Sequence, residues 1–174
     1  MYPFYTTVVE LVETLEIAMR DAIAEGPGAL VERLCLAVNE HDLEALSACF
    51  GSEYRNQTPV HPARGFEGRA QVRRNWEQIF GGVPDISAEV RWIADDQTAW
   101  SEWEMRGTRR DGSPHLMRGV VIFGVERNEA TWARFYLEPV QDDGEGVDEA
   151  VRRAVVVPSA ADPASPHDRQ GLGR

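Results

Sequence analysis

Lysine is missing from this chain: all 18 basic residues are arginine. That excludes Schiff-base catalysis through a lysine amine and a phosphate-binding loop of the kind that needs one. Cysteine is nearly missing as well. Cys35 and Cys49 fall in helical patterns, outside any C-x-x-C arrangement, and read as reduced packing residues, not as a disulfide or a metal site. Nowhere is there an apolar run of the roughly 18 residues that a membrane span needs. The opening MYPFYTTVVE has no basic stretch leading into an apolar one. Neither a span nor a secretory signal is expected, and the cytoplasm is the expected compartment. Basic charge is outweighed by 29 acidic residues, for a formal net charge of −11. With no basic run, nucleic acid is not an expected partner, because phosphate backbones are bound by clustered cations.

What is present suffices for one domain with extensions at both ends of its 174 residues. Residues 1–27 read as an extra N-terminal helix. Thr7 and Glu10 have capping-box spacing, Val8, Leu11, Val12, Leu15 and Met19 form an apolar stripe, and Gly26-Pro27-Gly28 ends it. A helix over Ala29–Glu40 follows, then a shorter one capped by Asp42 and running through Phe50. EYRNQTPV reads as a strand ending at Pro59, and the loop HPARGFEG, with His61, can fold over an opening. A helix from Arg69 to Phe80 turns Val72, Trp76, Ile79 and Phe80 inward. Four meandering strands come next, beginning near Ile86. The Asp111-Gly112 turn sets a hairpin register in which Glu104 faces Arg118 and Trp103 faces Gly119, giving the indole room over a residue without a side chain. Residues 141–174 form a C-terminal extension, with a short helical stretch near Val147–Ala154 and a Pro/Ser/Ala/Gly-rich part that is largely flexible from about residue 158.

Helices first, then a strand, a helix and four strands is an α+β order. Over residues 28–140 the chain resembles the nuclear transport factor 2-like superfamily in its SnoaL-like (polyketide cyclase-like) branch. The resemblance rests on NEHDLEALSACF, YRNQTPVHPARGFEGRAQVRRNW, PDISAEV, EWEMRGTRRDG, RGVVIFGV and WARFYLEPV, in that order. It implies a cone-shaped curved sheet with helices in its concave side, and acid–base chemistry on a small hydrophobic or oxygenated molecule without metal or organic cofactor. The same fold carries isomerases, cyclases, dehydratases, epoxide hydrolases and non-enzymes. Against ketosteroid isomerase, the base, the helical tyrosine and the second acid would fall at Thr58, Leu34 and Val121, so that steroid chemistry is not expected. Against limonene epoxide hydrolase, Tyr54 and Asn56 stand where water is held and Glu138 where one catalytic carboxylate stands. The arginine and the other acid would align with Trp103 and Met105.

Alternation in the last strand puts Arg134, Tyr136 and Glu138 on one face. The expected pocket therefore has Glu138, Tyr54 and Asn56 as its catalytic group. Trp103, Met105, Gly119, Val121, Phe123, Arg134, Tyr136 and His61 are expected to contact substrate. Burial would raise the Glu138 pKa and an adjacent arginine would lower it, which leaves a poised base and a structural Arg134–Glu138 pair both open. So is a non-catalytic ligand-binding module. The convex face, with Glu102, Glu104, Arg106, Arg118, Val120 and Ile122, is the expected homodimer contact, with a solvated face covered by the N-terminal helix as the alternative.

Overall fold

The computed structural model describes residues 25–141, 144 and 146–155. The N-terminal helix expected before Gly26, apart from Glu25, and the flexible tail expected from about residue 158 lie outside the described residues.

Helix α1 (Pro27–Asn39) starts on a proline, whose fixed φ suits the first turn and whose missing N–H costs nothing there. It buries Leu30, Val31, Leu34, Ala37 and Val38, a stripe at helical spacing. Helix α2 (Leu43–Ala48) is capped as expected: the Asp42 carboxylate accepts from the Glu44 and Ala45 amides at 3.0 and 2.9 Å. Strand β1 (Phe50–Gln57) stops two residues before Pro59. A 3-10 turn (Pro62–Arg64), the short strand β2 (Phe66–Glu67) and helix α3 (Arg69–Gly82) follow. Then come β3 (Ser87–Ala94), β4 (Thr98–Thr108), β5 (Pro114–Glu126) and β6 (Glu129–Pro139).

The six strands form one curved, unclosed sheet in the order β2-β1-β6-β5-β4-β3, with β1 parallel to β6 and every other pair antiparallel. Helix α1 packs across β3, β4 and β5 on the concave side, and α3 packs against β1. The described residues from Gln141 onward belong to a separate unit. Within it, helix α4 (Val147–Val155) has Asp148 and Glu149 in its first turn and Arg152 and Arg153 in its last, matching the helix dipole. No helix among the described residues is long and apolar enough to cross a membrane.

The β4–β5 register is the one expected: Glu104 lies opposite Arg118, and Trp103 opposite Gly119. Arg118 Nε donates to Glu104 at 2.5 Å and Arg106 donates to the same carboxylate. Arg118 above all holds the Glu104 carboxyl below its usual range. The reason for glycine at 119 is different from the one expected. Its φ is +152°, and a Cβ there would sit 2.1 Å from the Tyr136 carbonyl oxygen, so the backbone of β6, not the indole, demands glycine.

Parity sorts the sheet's two faces. Ala99, Ser101, Trp103 and Met105 of β4 are buried on the concave side, as are Val121, Phe123 and Val125 of β5. On β6 the inward set is Ala133, Phe135 and Leu137. Arg134 and Tyr136 therefore stand on the outer face, which corrects their expected place in the pocket wall. Arg134 Nε donates to Gln57 Oε1 at 2.9 Å, and its guanidinium lies 5.4 Å from the Trp132 ring centre.

Trp103 is 3% exposed; its indole N–H donates to Ser101 Oγ at 2.8 Å, and that hydroxyl donates to the Val121 carbonyl at 2.6 Å. Ser101→Ala strands the buried indole N–H and is expected to cost about 1–3 kcal/mol, read as a lower urea midpoint with an unchanged slope.

Candidate functional site

The space that α1 leaves unfilled lies toward β1 and β6, beneath α3. There a cavity of about 400 Å³, open on one side, lies between the sheet and the helix. Its walls are apolar: Phe50, Phe66, Trp76, Ile79, Ile86, Met105, Met117, Phe135 and Leu137. Tyr54, Asn56, Thr58, Arg64, Asn75, His115 and Glu138 supply the polar atoms. An apolar lining with a few converging polar groups is the usual make-up of a small-molecule site. On the opposite face a shallower depression of about 380 Å³ is lined by Glu89, Arg91, Glu102, Glu104 and Arg118, and is the ion-paired surface described above.

Tyr54 is held by rings on both sides, Phe50 at 4.8 Å and Phe66 at 6.1 Å between centroids. Burial pushes its phenol well above the ordinary range, against a smaller opposing pull from Asn56. It is therefore an O–H donor at every working pH. Thr58 Oγ1 donates to Asn56 Oδ1 at 3.3 Å, and Asn56 Nδ2 donates to Tyr54 Oη at 3.4 Å. The relay's direction leaves the Tyr54 hydrogen available to the cavity.

Glu138 belongs by parity to the outer set, opposite Arg118. Strand β1 has ended by this level, since its last partner on β6 is Arg134, and the long side chain reaches the cavity mouth. There its carboxylate meets His61 Nε2 at 3.3 Å and Arg64 Nη1 at 3.7 Å. The Glu138 side chain is 36% exposed. The structural Arg134–Glu138 pair is not formed. The carboxylate instead engages the loop that was expected to fold over an opening.

Of the expected site residues, the structure brings Tyr54, Asn56, Met105 and Glu138 to the cavity, with His61 at its rim. Trp103, Val121 and Phe123 face the concave side but are packed in the core, and Gly119 lies opposite Trp103. None of these four lines the cavity. Phe123 touches it at one remove, edge-on to Phe135 at 6.3 Å.

His115, Arg64, Thr58 and Trp76 are cavity residues that the sequence did not single out as site residues. For His115 the signal was there: it shares parity with Met117, Gly119 and Val121. Both of its ring nitrogens are shielded from solvent and have no hydrogen-bond partner. Burial chiefly, with Arg109 adding to it, pushes its pKa down, so the ring is neutral near pH 7. Among the described residues no group of three His, Cys, Asp or Glu could hold a metal ion.

A family model described as the SnoaL-like domain matches residues 31–135. No curated protein matches the chain. Solved structures share its fold at low identity. One is a protein of Catenulispora acidiphila DSM 44928 with a ketosteroid isomerase-like fold, in complex with trimethylamine. It is 12% identical, with 63% of this chain and 86% of that one covered, at a TM-score of 0.55. An LEH-like epoxide hydrolase of M. tuberculosis is 17% identical, covering 63% and 80%, at 0.53. A candidate polyketide cyclase of Xanthomonas campestris pv. campestris is 16% identical, covering 62% and 87%, at 0.54.

The depressed His115 pKa fixes the sign of one pH effect. As pH falls below about 6.5, the unfolded chain takes up a proton there before the folded chain does, so stability declines. His115→Phe is expected to flatten that decline: the loss of urea midpoint between pH 7.5 and 5.5 (on the order of the His titration range) should be smaller in the variant. Equal losses would contradict a neutral buried ring.

Proposed function

Because this chain belongs to the SnoaL-like domain family, we propose that its cavity binds a small, largely hydrophobic, oxygenated molecule and performs cofactor-free acid–base chemistry on it, with Glu138 as proton acceptor. The observation that carries this reading is the Glu138 carboxylate at the mouth of an apolar cavity, 3.3 Å from the His61 imidazole. A carboxylate beside an imidazole can take a proton from a carbon next to a carbonyl, or from water. His61 and Arg64 hold the carboxylate in place, and the Arg64 guanidinium balances its charge. Negative charge then develops on the substrate oxygen, where the Tyr54 hydroxyl, oriented through Asn56 and Thr58, is free to donate. An enolate so formed can be reprotonated elsewhere, as in an isomerase, or can attack an internal carbonyl, as in a cyclase. Activated water would instead open an epoxide. Proteins of this fold include an LEH-like epoxide hydrolase and a candidate polyketide cyclase, which makes epoxides and polyketide-like ketones the first compounds to offer.

With such a panel, Glu138→Gln is expected to lower turnover by about 10²–10⁴-fold, the usual weight of a positioned general base. Rates equal to wild type would remove Glu138 from the mechanism.

A second reading rests on the same contacts. With two partners on one loop, His61 and Arg64, Glu138 also works as a latch holding residues 58–65 over a bound ligand, and a non-catalytic binding module needs no more. Turnover by wild type decides between the two.

The homodimer belongs with this proposal. Trp100, 52% exposed, Val120 and Tyr136 crowd the outer face around Ile122, flanked by the Glu104–Arg118 pair. A patch with apolar centre and both charges suits a two-fold contact, in which each residue meets the same surface on its partner. Light scattering is expected to give a dimer mass for wild type and a monomer mass for Val120→Glu, and a monomeric wild type would refute this contact.

A further inference from the structure

His115 has no part in the acid–base scheme, yet its placement is the most constrained in the cavity. It opens β5 opposite Gly107 of β4. A Cβ on Gly107 would lie 2.5 Å from Val83 Cγ1, 3.0 Å from Asp85 Oδ1 and 3.1 Å from Ile86 Cα, so the segment between α3 and β3 closes directly over this corner, with the Asp85 carboxylate engaged by the Thr108 amide. The next inward pair is Met105 and Met117. The residue as a whole is half-buried, yet both ring nitrogens lie out of water and neither is bonded. A neutral imidazole carries one donor and one acceptor. Buried polar groups are nearly always paired, and an exception in a native chain calls for a cause. A phenylalanine would fill the same wall without leaving anything unsatisfied. Because the ring lines the cavity, whatever occupies the cavity satisfies it, water in the free protein and a ligand that displaces that water.

The charges nearby narrow that ligand. Arg109 bears on His115, which disfavours a cationic group there. Glu138 stands at the mouth with its own partners, Arg64 and His61, which disfavours an anion entering past it. What remains is an uncharged group that donates or accepts one hydrogen bond. A cavity of about 400 Å³ suits a molecule of two or three fused rings.

We propose that His115 is the specificity-determining contact of the cavity, hydrogen-bonding a hydroxyl or carbonyl on an uncharged, otherwise hydrocarbon, fused-ring ligand. This rests on the reading that the cavity binds a small molecule. The contact discriminates by the mechanism that makes polar sites selective: an analogue lacking the oxygen leaves the buried imidazole unpaired.

The test uses the full chain and four probes of one skeleton: tetralin, its benzylic alcohol, its benzylic ketone and its benzylic carboxylate. Each is titrated by calorimetry into wild type, His115→Phe and His115→Gln. The alcohol-to-tetralin or ketone-to-tetralin affinity ratio is expected to fall by roughly ten-fold in His115→Phe, the weight of one buried hydrogen bond. Tetralin itself should bind the variant as well as wild type or better. His115→Gln, which keeps a donor and an acceptor, should restore part of the ratio and supplies the comparison if His115→Phe does not fold. Ratios unchanged across the variants overturn the role of His115 while leaving the cavity reading intact. A carboxylate that binds wild type more tightly than the alcohol and the ketone overturns the uncharged ligand. Failure of all four probes to bind overturns the cavity reading, and this inference with it.

Discussion

Everything in this domain follows from the two-residue period of three long strands, β4, β5 and β6. Because their registers are locked across Glu104–Arg118 and through the Gly119 backbone contact, each strand commits one complete set of side chains to the concave side. A slip by one residue would exchange the sets wholesale. Ser101, Trp103, Val121 and Ala133 then fill the core under α1, while Phe135, Leu137, Met105 and Met117 reach past it. The cavity is the part of the concave side that α1 does not cover. Its position is a consequence of register and helix placement together.

That division explains what could be read from residues alone. The β4–β5 hairpin was legible because turn chemistry and cross-strand charge pairing agreed on a single register. The cap of α2 was legible from turn chemistry alone, with Asp42 making the two bonds its position predicts, although that helix stops at Ala48 and Phe50, expected within it, already opens β1. The last strand was harder. Two sets alternate in WARFYLEP: a polar one containing Arg134, Tyr136 and Glu138, and an apolar one containing Ala133, Phe135 and Leu137. Both are consistent with a half-buried strand. Giving the polar set to the pocket placed Arg134 and Tyr136 on the wrong face. Glu138 reached the cavity for a reason no periodicity contains, namely that β1 ends before its level and leaves room to turn in.

Trp103, Val121 and Phe123 teach a related point. Their parity was read correctly, and all three face the concave side. Whether such a residue touches a ligand or a helix depends on where α1 lies across the sheet, which pattern alone does not fix. His115 is the reverse case. Its parity with Met117 and Val121 marks its face, but that both of its ring nitrogens lie out of water and unbonded is visible only in the folded chain.

One contact at the far edge bears on how the molecule meets its neighbours. Asn39, the last residue of α1, accepts from the Ala88 amide at 2.7 Å and donates to the Ala88 carbonyl at 3.0 Å. It does with one side chain what a neighbouring strand would do with its backbone. β3 is an edge strand, and open edges invite another chain to add on and continue the sheet. With Ala88 occupied in both directions, a seventh strand cannot dock in register there. The amide of a helix residue thus works as a stopper at that end of the β3 edge, against a strand adding on there.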